Sequence, residues 1–211
     1  MSAPKPAPRE QYHHGDLARE LLEVSVAILA ETGADAFTLR EAARRAGVSH
    51  RAVYRHYTDK RALLAAIAEG GYRALAADME QAVATTHAEP TRTAGDALLA
   101  IAEAYLRFAL REPARFQVMF GPRLNLDERF PSLEVAIKET VSVLSRELRA
   151  VGPDVTSAVR RDAGVSLWAA VHGLSSLVLS RRIRLRDTHI HSYVGTTMAP
   201  VIAGILRVLR P

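Results

Sequence analysis

The chain has 211 residues, of which 48% are hydrophobic and 6% aromatic, and its formal net charge is +5. This length provides a sizeable core in one or two domains, and the basic balance, with a pI of about 9.9, favours a polyanionic partner. The absence of cysteine excludes disulfides, thiolate metal sites and thiol nucleophiles. Abundant Ala and Leu, with little β-branched alternation, predict an all-α fold.

Residues 1–15 are predicted to form a flexible arm, because their Pro-rich start has little to bury. Lys5 and Arg9 in this arm either contact a DNA groove or only keep the tail soluble. The start lacks the apolar segment of a signal peptide, and no apolar run approaches the roughly 20 residues of a membrane span. We therefore expect a cytoplasmic protein that is not associated with a membrane.

A first long helix is predicted to begin at Asp16 as N-cap and to end at Gly33. Its apolar residues recur at helical spacing and predict one buried stripe: Leu17, Leu21, Val24, Ile28 and Leu29. Phe37, just before the next helix, is expected to anchor the core of this N-terminal region.

Two short helices follow, and their caps can be read from the sequence. Thr38 is the predicted N-cap of the first, with Glu41 completing a capping box, and Gly47 ends that helix. Ser49 caps the second. Two short helices joined by a Gly-containing turn are typical of a helix-turn-helix, whose second helix enters the DNA major groove. Residues 16–61 are thus predicted to be a three-helix DNA-binding domain.

Residues 38–61 contain seven basic and two acidic residues, an excess equal to the net charge of the whole chain. The basic ones are Arg40, Arg44, Arg45, Arg51, Arg55, Lys60 and Arg61. A solvated helix face would give the same count. The paired caps and the interleaved Tyr54 and Tyr57 favour the DNA interpretation.

Residues 62–211 are predicted to form a second helical domain, reached by a long helix capped by Asp59. Gly70-Gly71 within that helix indicates either close packing, which we favour, or bending. Five further helices are predicted to begin near Thr93, Pro113, either Pro131 or Ser132, Thr156 and His191.

The last two predicted helices have unusual surfaces. The helix from Thr156 to about Arg182 is apolar on more than one side and is expected to be buried on two faces. The last helix carries several small residues and Pro200, which is expected to kink or split it near Thr197. We expect these two helices to pair with their copies in a homodimer; the alternative is that they only close the monomer's core.

The segment TLREAARRAGVSHRAVYRHYTDKRALL, within about Asp16–Ile67, resembles the DNA-binding domain of the tetracycline-repressor (TetR) family of bacterial regulators. The motifs YHHGDL at 12–17, FQVMFG at 116–121 and WAAVHG at 168–173 are similar to the subfamily whose C-terminal domain has a Trp-His-Gly signature. The resemblance implies an all-α protein. Its N-terminal three-helix DNA-binding domain would be joined by a long helix to a C-terminal ligand-binding and dimerisation domain.

The resemblance also implies roles for residues of the helix-turn-helix. Positions expected to hold phosphates are Thr38, Ser49, Tyr54, His56 and Lys60, while His50 and Arg51 are expected to face base edges. Arg40 can reach the groove or a phosphate, and Arg55 completes the predicted set. A small residue, often Gly, is common in the family where Arg51 stands, so the operator sequence cannot be carried over. Tyr57 replaces the more usual Phe.

Aromatic residues and one histidine are the candidates for a ligand cavity in the second domain, together with one methionine: Tyr105, Phe108, Phe116, Met119, Phe120, Trp168 and His172. Each of them also fits an ordinary core position. Trp168 and His172 share a helix face, so His172 either anchors a polar group of the ligand or packs and bonds within the core. We assign no metal, no cofactor and no catalytic constellation.

The expected function is a dimeric transcriptional regulator, a repressor, that binds a palindromic operator on double-stranded DNA and is released by a small, largely apolar ligand. One alternative is an architectural DNA-binding protein without sequence preference, which would spread its basic residues over the surface. Others are a regulator without a natural ligand and an all-helical enzyme or carrier. The enzyme would need a catalytic constellation that the sequence does not offer.

Overall fold

The computed structural model describes residues 14–210, with side chains from Leu17 onward. Within this part the protein has nine α-helices, one 3₁₀ turn and no strand, so the predicted all-α fold is confirmed. The helices are α1 His14–Ala36, α2 Leu39–Arg45, α3 His50–His56, α4 Lys60–Ala88, α5 Asp96–Arg111, α6 Pro113–Met119, α7 Pro131–Val151, α8 Ser157–Leu179 and α9 Ile190–Leu209; the 3₁₀ turn is Asp187–His189. The arm residues 1–13, with Lys5 and Arg9, lie outside the described residues.

The chain divides into two compact units, Met1–Leu63 and Leu64–Pro211. The division falls inside α4, so one continuous helix begins in the first unit and continues through the second. The boundary predicted from sequence falls after residue 61.

In the N-terminal unit, α1 supplies the main apolar face. Leu21, Ile28 and Leu29 are buried, whereas Leu17 and Val24 are partly exposed. Gly33 breaks the helix with a φ of 77°. A positive φ is the backbone conformation that favours glycine. The predicted start was wrong, because α1 already includes His14, so Asp16 lies within the helix and is not its N-cap.

In the C-terminal unit, α5 is the central helix, and it packs against α8 and α9. Its buried residues surround most of the helix: Ala97, Leu98, Ile101, Ala102, Ala104, Tyr105, Leu106, Phe108 and Ala109. Helix α7 packs against both α8 and α5. A helix buried this completely fixes the positions of the elements around it, because protein interiors are close-packed.

Helix α6 packs closely on α4 at Gly71. A Cβ atom at Gly71 would lie 2.5 Å from Sδ of Met119, so a larger residue at this position would have to displace the Met119 side chain. The Tyr72 hydroxyl donates to the Met119 carbonyl at 3.0 Å, which satisfies an acceptor at the end of α6. Close packing therefore accounts for Gly71, whereas Gly70 has no comparable contact.

Two predicted helix limits need correction. Helix α5 begins at Asp96 instead of Thr93, because the Asp96 carboxylate accepts from the Thr93 backbone N–H at 2.6 Å and forms a turn before the helix. Of the two outcomes predicted for α9, the split near Thr197 is wrong, because the helix continues through Pro200, and the kink stays a prediction. Pro200 is exposed, so water can bond the carbonyl that loses its helical donor.

Helix α8 is not buried on two faces within one chain. Val165 is 53% exposed, Trp168 47% and Leu177 45%. By length and composition, α8 and the segment Asp187–Leu209 are each apolar enough to cross a membrane, which corrects the statement that no run approaches a span. The core helices of globular proteins pass the same test, so this property gives no membrane placement.

The packing at Gly71 predicts different outcomes for two neighbouring substitutions. Gly70→Ala is expected to stabilise the protein by up to about 1 kcal/mol, because Ala is the better helix former and a Cβ there would contact only the end of Arg115. Gly71→Ala must displace Met119 and is expected to be roughly 1–3 kcal/mol less stable than Gly70→Ala. Urea unfolding measures both variants, and equal stabilities would contradict the close contact.

Candidate DNA-binding surface and ligand cavity

The hydroxyls of Thr38 and Ser49 cap α2 and α3 as predicted. Thr38 Oγ1 accepts from the Glu41 N–H at 3.2 Å, and Ser49 Oγ accepts from the Ala52 N–H at 3.2 Å. The hydrogen bonds formed by both residues lie at the protein surface. A hydroxyl that accepts in this way keeps its own hydrogen, which can be donated to a phosphate oxygen.

Helix α3 buries Val53 completely and presents a polar face to solvent. His50, Arg51, Tyr54 and Arg55 are all exposed on that face. The His50 and Tyr54 rings meet edge to face, with centroids 4.8 Å apart, so the two side chains support each other. The short helix therefore presents two guanidinium groups, an imidazole and a phenol to solvent.

The other predicted DNA-contacting residues lie around α2 and α3. Arg40 is exposed on α2, and His56 is partly buried at the end of α3. Lys60 Nζ donates to the Asp35 carbonyl at 3.2 Å and lies 6.0 Å from the centre of the Phe37 ring. An ammonium has three donors, so this anchored group retains hydrogens for another acceptor.

Two arginines counted in the basic cluster are instead used within the unit. Glu41 accepts from Arg44 Nε at 2.8 Å and from Arg45 Nε at 3.0 Å, and Arg45 also pairs with Glu31. Hydrogen bonds from Arg44 and Arg45 lower the pKa of the Glu41 carboxyl to about 2. This network connects α1 to α2. It also replaces the second half of the predicted capping box, since the Glu41 carboxylate is held by arginines.

A cavity of about 390 Å³ lies within the C-terminal unit, with walls from α4, α5, α7 and α8. Its lining includes Leu75 and Met79 from α4, Ile101 and Tyr105 from α5, and Phe120 after α6. The volume is within the range of small-molecule sites, and most of the lining is apolar.

Tyr105 joins α5 to two residues of α8. The Trp168 indole N–H donates to the Tyr105 hydroxyl at 3.3 Å, and that oxygen lies 2.9 Å from Nδ1 of His172. Because indole only donates, all three groups are satisfied when Tyr105 donates its hydrogen to Nδ1. Burial lowers the pKa of His172 and raises that of Tyr105, so both are neutral at pH 7, as this bond requires.

Rings from α5, α6 and α8 form one cluster around His172. The Phe116 ring stacks on His172 with centroids 5.4 Å apart, and Phe120 meets it edge to face at 4.8 Å. Five of the seven predicted ligand residues thus lie together: Tyr105, Phe116, Phe120, Trp168 and His172.

Only some of the predicted residues line the cavity. Tyr105, Phe120 and Trp168 do, whereas Phe116 and His172 lie in the cluster behind them. Phe108 is fully buried with the Arg111 guanidinium 5.7 Å from its ring, and Met119 packs on Gly71. Their role in binding stays a prediction.

Sequence reasoning missed the polar end of the cavity. Arg149 near the end of α7, and Ser157, Arg160 and Arg161 at the start of α8, are also lining residues. Helical periodicity could not find them, because they look like ordinary solvated helix ends. Their shared position becomes visible only when α7 packs against α8. Among the described residues there is no group of three or more His, Asp or Glu that could hold a metal.

Two protein families match this chain. Residues 21–67 match the family described as "Bacterial regulatory proteins, tetR family", and residues 98–196 match "Tetracyclin repressor-like, C-terminal domain". An N-terminal and a C-terminal domain model of tetracycline-repressor-like regulators therefore both match this chain. No curated protein matches the sequence.

Solved structures agree with this family fold. A protein of unknown function from Rhodococcus sp. RHA1 is 28% identical, with 96% of this chain and 100% of that one covered, at a TM-score of 0.74. A tetR-family regulatory protein from Rhodococcus RHA1 is 23% identical over 92% and 96% of the two chains, at 0.61. A single-substitution variant of TetR from Acinetobacter baumannii AYE, in complex with minocycline, is 20% identical over 90% and 97%, at 0.60.

The neutral state of His172 predicts how stability depends on pH. A histidine whose folded pKa is lowered takes up a proton first in the unfolded chain, so its contribution is complete above the ordinary value of about 6.5 and falls as the pH decreases below it. The stability advantage of the wild type over His172→Gln is therefore expected to shrink between roughly pH 7.5 and pH 5. Urea unfolding at several pH values and one protein concentration measures it.

His189→Gln is the control, because His189 is exposed on the turn before α9. Its unfolding free energy should run parallel to that of the wild type. If His172→Gln ran parallel as well, the neutral, partly buried state of His172 would be refuted.

Proposed function

We propose that the protein is a dimeric, ligand-responsive transcriptional regulator of the cytoplasm that represses by binding a palindromic operator and is released by a small, largely apolar ligand. The observation that carries the proposal is the pairing of an exposed basic helix in one unit with an apolar cavity in the other, in one chain with both TetR domains. The motifs at 12–17, 116–121 and 168–173 support a place in the Trp-His-Gly subfamily.

The DNA contacts are proposed from side-chain chemistry. Arg51 at the start of α3 is exposed and is suited to bidentate bonding with guanine, and His50 lies beside it. The capping hydroxyls of Thr38 and Ser49, with the anchored ammonium of Lys60, are suited to phosphates. Base contacts would determine which DNA sequence is preferred, and phosphate contacts would fix the register of the protein on the DNA.

The homodimer is proposed from the outer faces of α8 and α9, which pack against each other within the chain. Leu177 and Val208 are large and about half exposed, and a Cβ at Gly173, Gly195 or Gly204 would meet no neighbouring atom. Exposed apolar and small residues on adjacent helices allow close approach of another helix pair. Two-fold pairing would also supply the two DNA-binding units that a palindrome needs.

The proposed response to ligand is linkage between two states of the protein. In one state the two DNA-binding units match both half-sites of the operator, and in the other state they do not. A ligand that binds the second state ~100-fold more tightly than the first would weaken operator binding by about 2.7 kcal/mol. Helix α4 is the proposed lever, because its residues belong to both units and Tyr72, Leu75 and Met79 line the cavity.

Selection of random duplex DNA by the purified protein tests the proposal. A palindromic winner bound orders of magnitude more tightly than random DNA, at two salt concentrations, is the expected result. Strong salt-dependent binding without enrichment of any sequence would instead favour the architectural alternative.

Two substitutions separate base contacts from phosphate contacts. Arg51→Ala is expected to cost roughly 1–3 kcal/mol on the selected site and much less on random DNA, relaxing the preference at one base pair. Lys60→Ala is expected to weaken both and to reduce the salt slope by about one. Arg92→Ala, exposed in the α4–α5 connection, is the control and should change neither. Equal losses on both DNAs for Arg51→Ala would refute base contact.

A charge on the outer face of α9 is expected to prevent dimerisation. Ala203 is exposed, so Ala203→Glu should leave the folded chain within about 0.5 kcal/mol of its stability and yet produce a monomer, because the partner would bury the new carboxylate. Sedimentation equilibrium measures the mass. Ala77→Glu, exposed on α4, is the matched control and should stay dimeric. A dimeric Ala203→Glu would place the interface elsewhere.

A further inference from the structure

The end of the cavity near Tyr105 and Phe120 offers a ligand only apolar surface. Its hydroxyls already have partners: Tyr72 donates to the Met119 carbonyl at 3.0 Å, and Thr140 lies 2.9 Å from the Tyr72 carbonyl. The Tyr105 hydroxyl is held by Trp168 and His172. A ligand at this end would therefore meet the rings of Phe120 and Trp168 and no protein hydroxyl that lacks a hydrogen-bond partner.

The other end of the same cavity is cationic. Arg149 comes from the end of α7, and Arg160 and Arg161 come from the first turns of α8, with Ser145 and Ser157 beside them. Among the described residues that line the cavity, none is Asp or Glu. This end thus carries three guanidinium groups and two hydroxyls. Ser145 already donates its hydroxyl hydrogen to the Val141 carbonyl at 3.0 Å, so the arginines and Ser157 are the groups that can donate to an anion.

The three arginines differ in how far they are already used. Arg149 is exposed and makes no hydrogen bond or ion pair within residues 14–210. Arg161 has only Asp162 at 3.3 Å within the same part of the chain, and both side chains are more than two-thirds exposed, so this pair is weak. Arg160 Nη1 donates to carbonyls of the loop between α7 and α8 and fixes that loop. Arg149 and Arg161 are therefore the cations available to a ligand.

The two ends are far enough apart for one elongated molecule. Ile137 and Arg149 both line the cavity from α7, and their separation of twelve residues corresponds to about 18 Å along the helix. A compact apolar ligand would fill one end and make no contact with the arginines. A cationic ligand would be repelled by them.

We infer that the cavity binds an elongated amphipathic anion, with its apolar body against Tyr105, Phe120 and Trp168 and its carboxylate or similar head at Arg149 and Arg161. This assignment deepens the proposed ligand response and rests on it only for the regulatory consequence. The anionic head places the ligand in one orientation, because charge-assisted bonds from guanidinium groups are directional and about twice as strong as neutral ones.

Decanoate, decanol and decyltrimethylammonium test the assignment, since they share one apolar chain and differ in the charge of the head. Trp168 is the single tryptophan of the chain and lies in the cavity wall, so its fluorescence reports binding, and calorimetry gives an independent affinity. Decanoate, below its critical micelle concentration, is expected to bind about tenfold more tightly than decanol, with the cation weakest. The advantage of decanoate should shrink as salt is raised.

Arginine variants locate the head. Arg149→Gln and Arg161→Gln are each expected to weaken decanoate roughly three- to tenfold while leaving decanol within about twofold. Arg182→Gln removes an exposed arginine beyond the opposite end of α8 and should change neither affinity. All three positions are exposed, so the variants are expected to fold.

Equal affinity for the three probes, or a carboxylate preference that survives in both Arg149→Gln and Arg161→Gln, would overturn the inference. Decanoate binding that competes with dimerisation would also overturn it, because the groove would then be covered by a second copy. Decanoate bound with the expected preference but without effect on operator affinity would uphold the ligand class and refute the proposed response. Specific operator binding without decanoate binding would refute the ligand class and leave the regulator.

Discussion

The burial of α5 is the constraint on which the C-terminal unit depends. Helix α5 packs against α8 and α9, and Tyr105 brings a hydroxyl into this interior. A buried hydroxyl without a partner costs roughly 1–3 kcal/mol, so α8 must lie where Trp168 and His172 can bond it. That pair of bonds sets the position of α8 along α5. It thereby decides which residues of α8 face the cavity and which face solvent.

Arginine serves two different purposes in this chain, and charge counting does not separate them. Arg44 and Arg45 are neutralised by Glu41 and Glu31 and connect α1 to α2. In the C-terminal unit, Arg160 holds backbone carbonyls, while Arg149, at the same end of the cavity, has no partner within the described part of the chain. The cations that remain available, there and on the exposed face of α3, are the ones that we propose bind ligand and DNA.

Features that depend on a few neighbouring residues could be predicted well. Thr38, Ser49 and Asp59 cap their helices, Gly47 has positive φ after α2, and Pro113 occupies the first position of α6. These follow from capping and backbone sterics, which act within about one turn. The same local rules failed at the start of α1, which extends upstream, and the split predicted for α9 is absent, since the helix continues through its proline. A single favourable or unfavourable group does not decide a helix whose apolar face is buried in the fold.

The sequence by itself determined the all-α class, the helix-turn-helix and its exposed basic helix, because periodicity, caps and charge are written in adjacent residues. Only the tertiary structure decided which aromatic residues form a cavity wall and which fill the core. Phe108 and Phe120 look alike in sequence, yet Phe108 is fully buried while Phe120 lines the cavity. It also decided that Arg149 and Arg161, on different helices, meet at one end of that cavity. Such a meeting depends on how α7 and α8 pack, and no local pattern encodes the distance between residues on two helices.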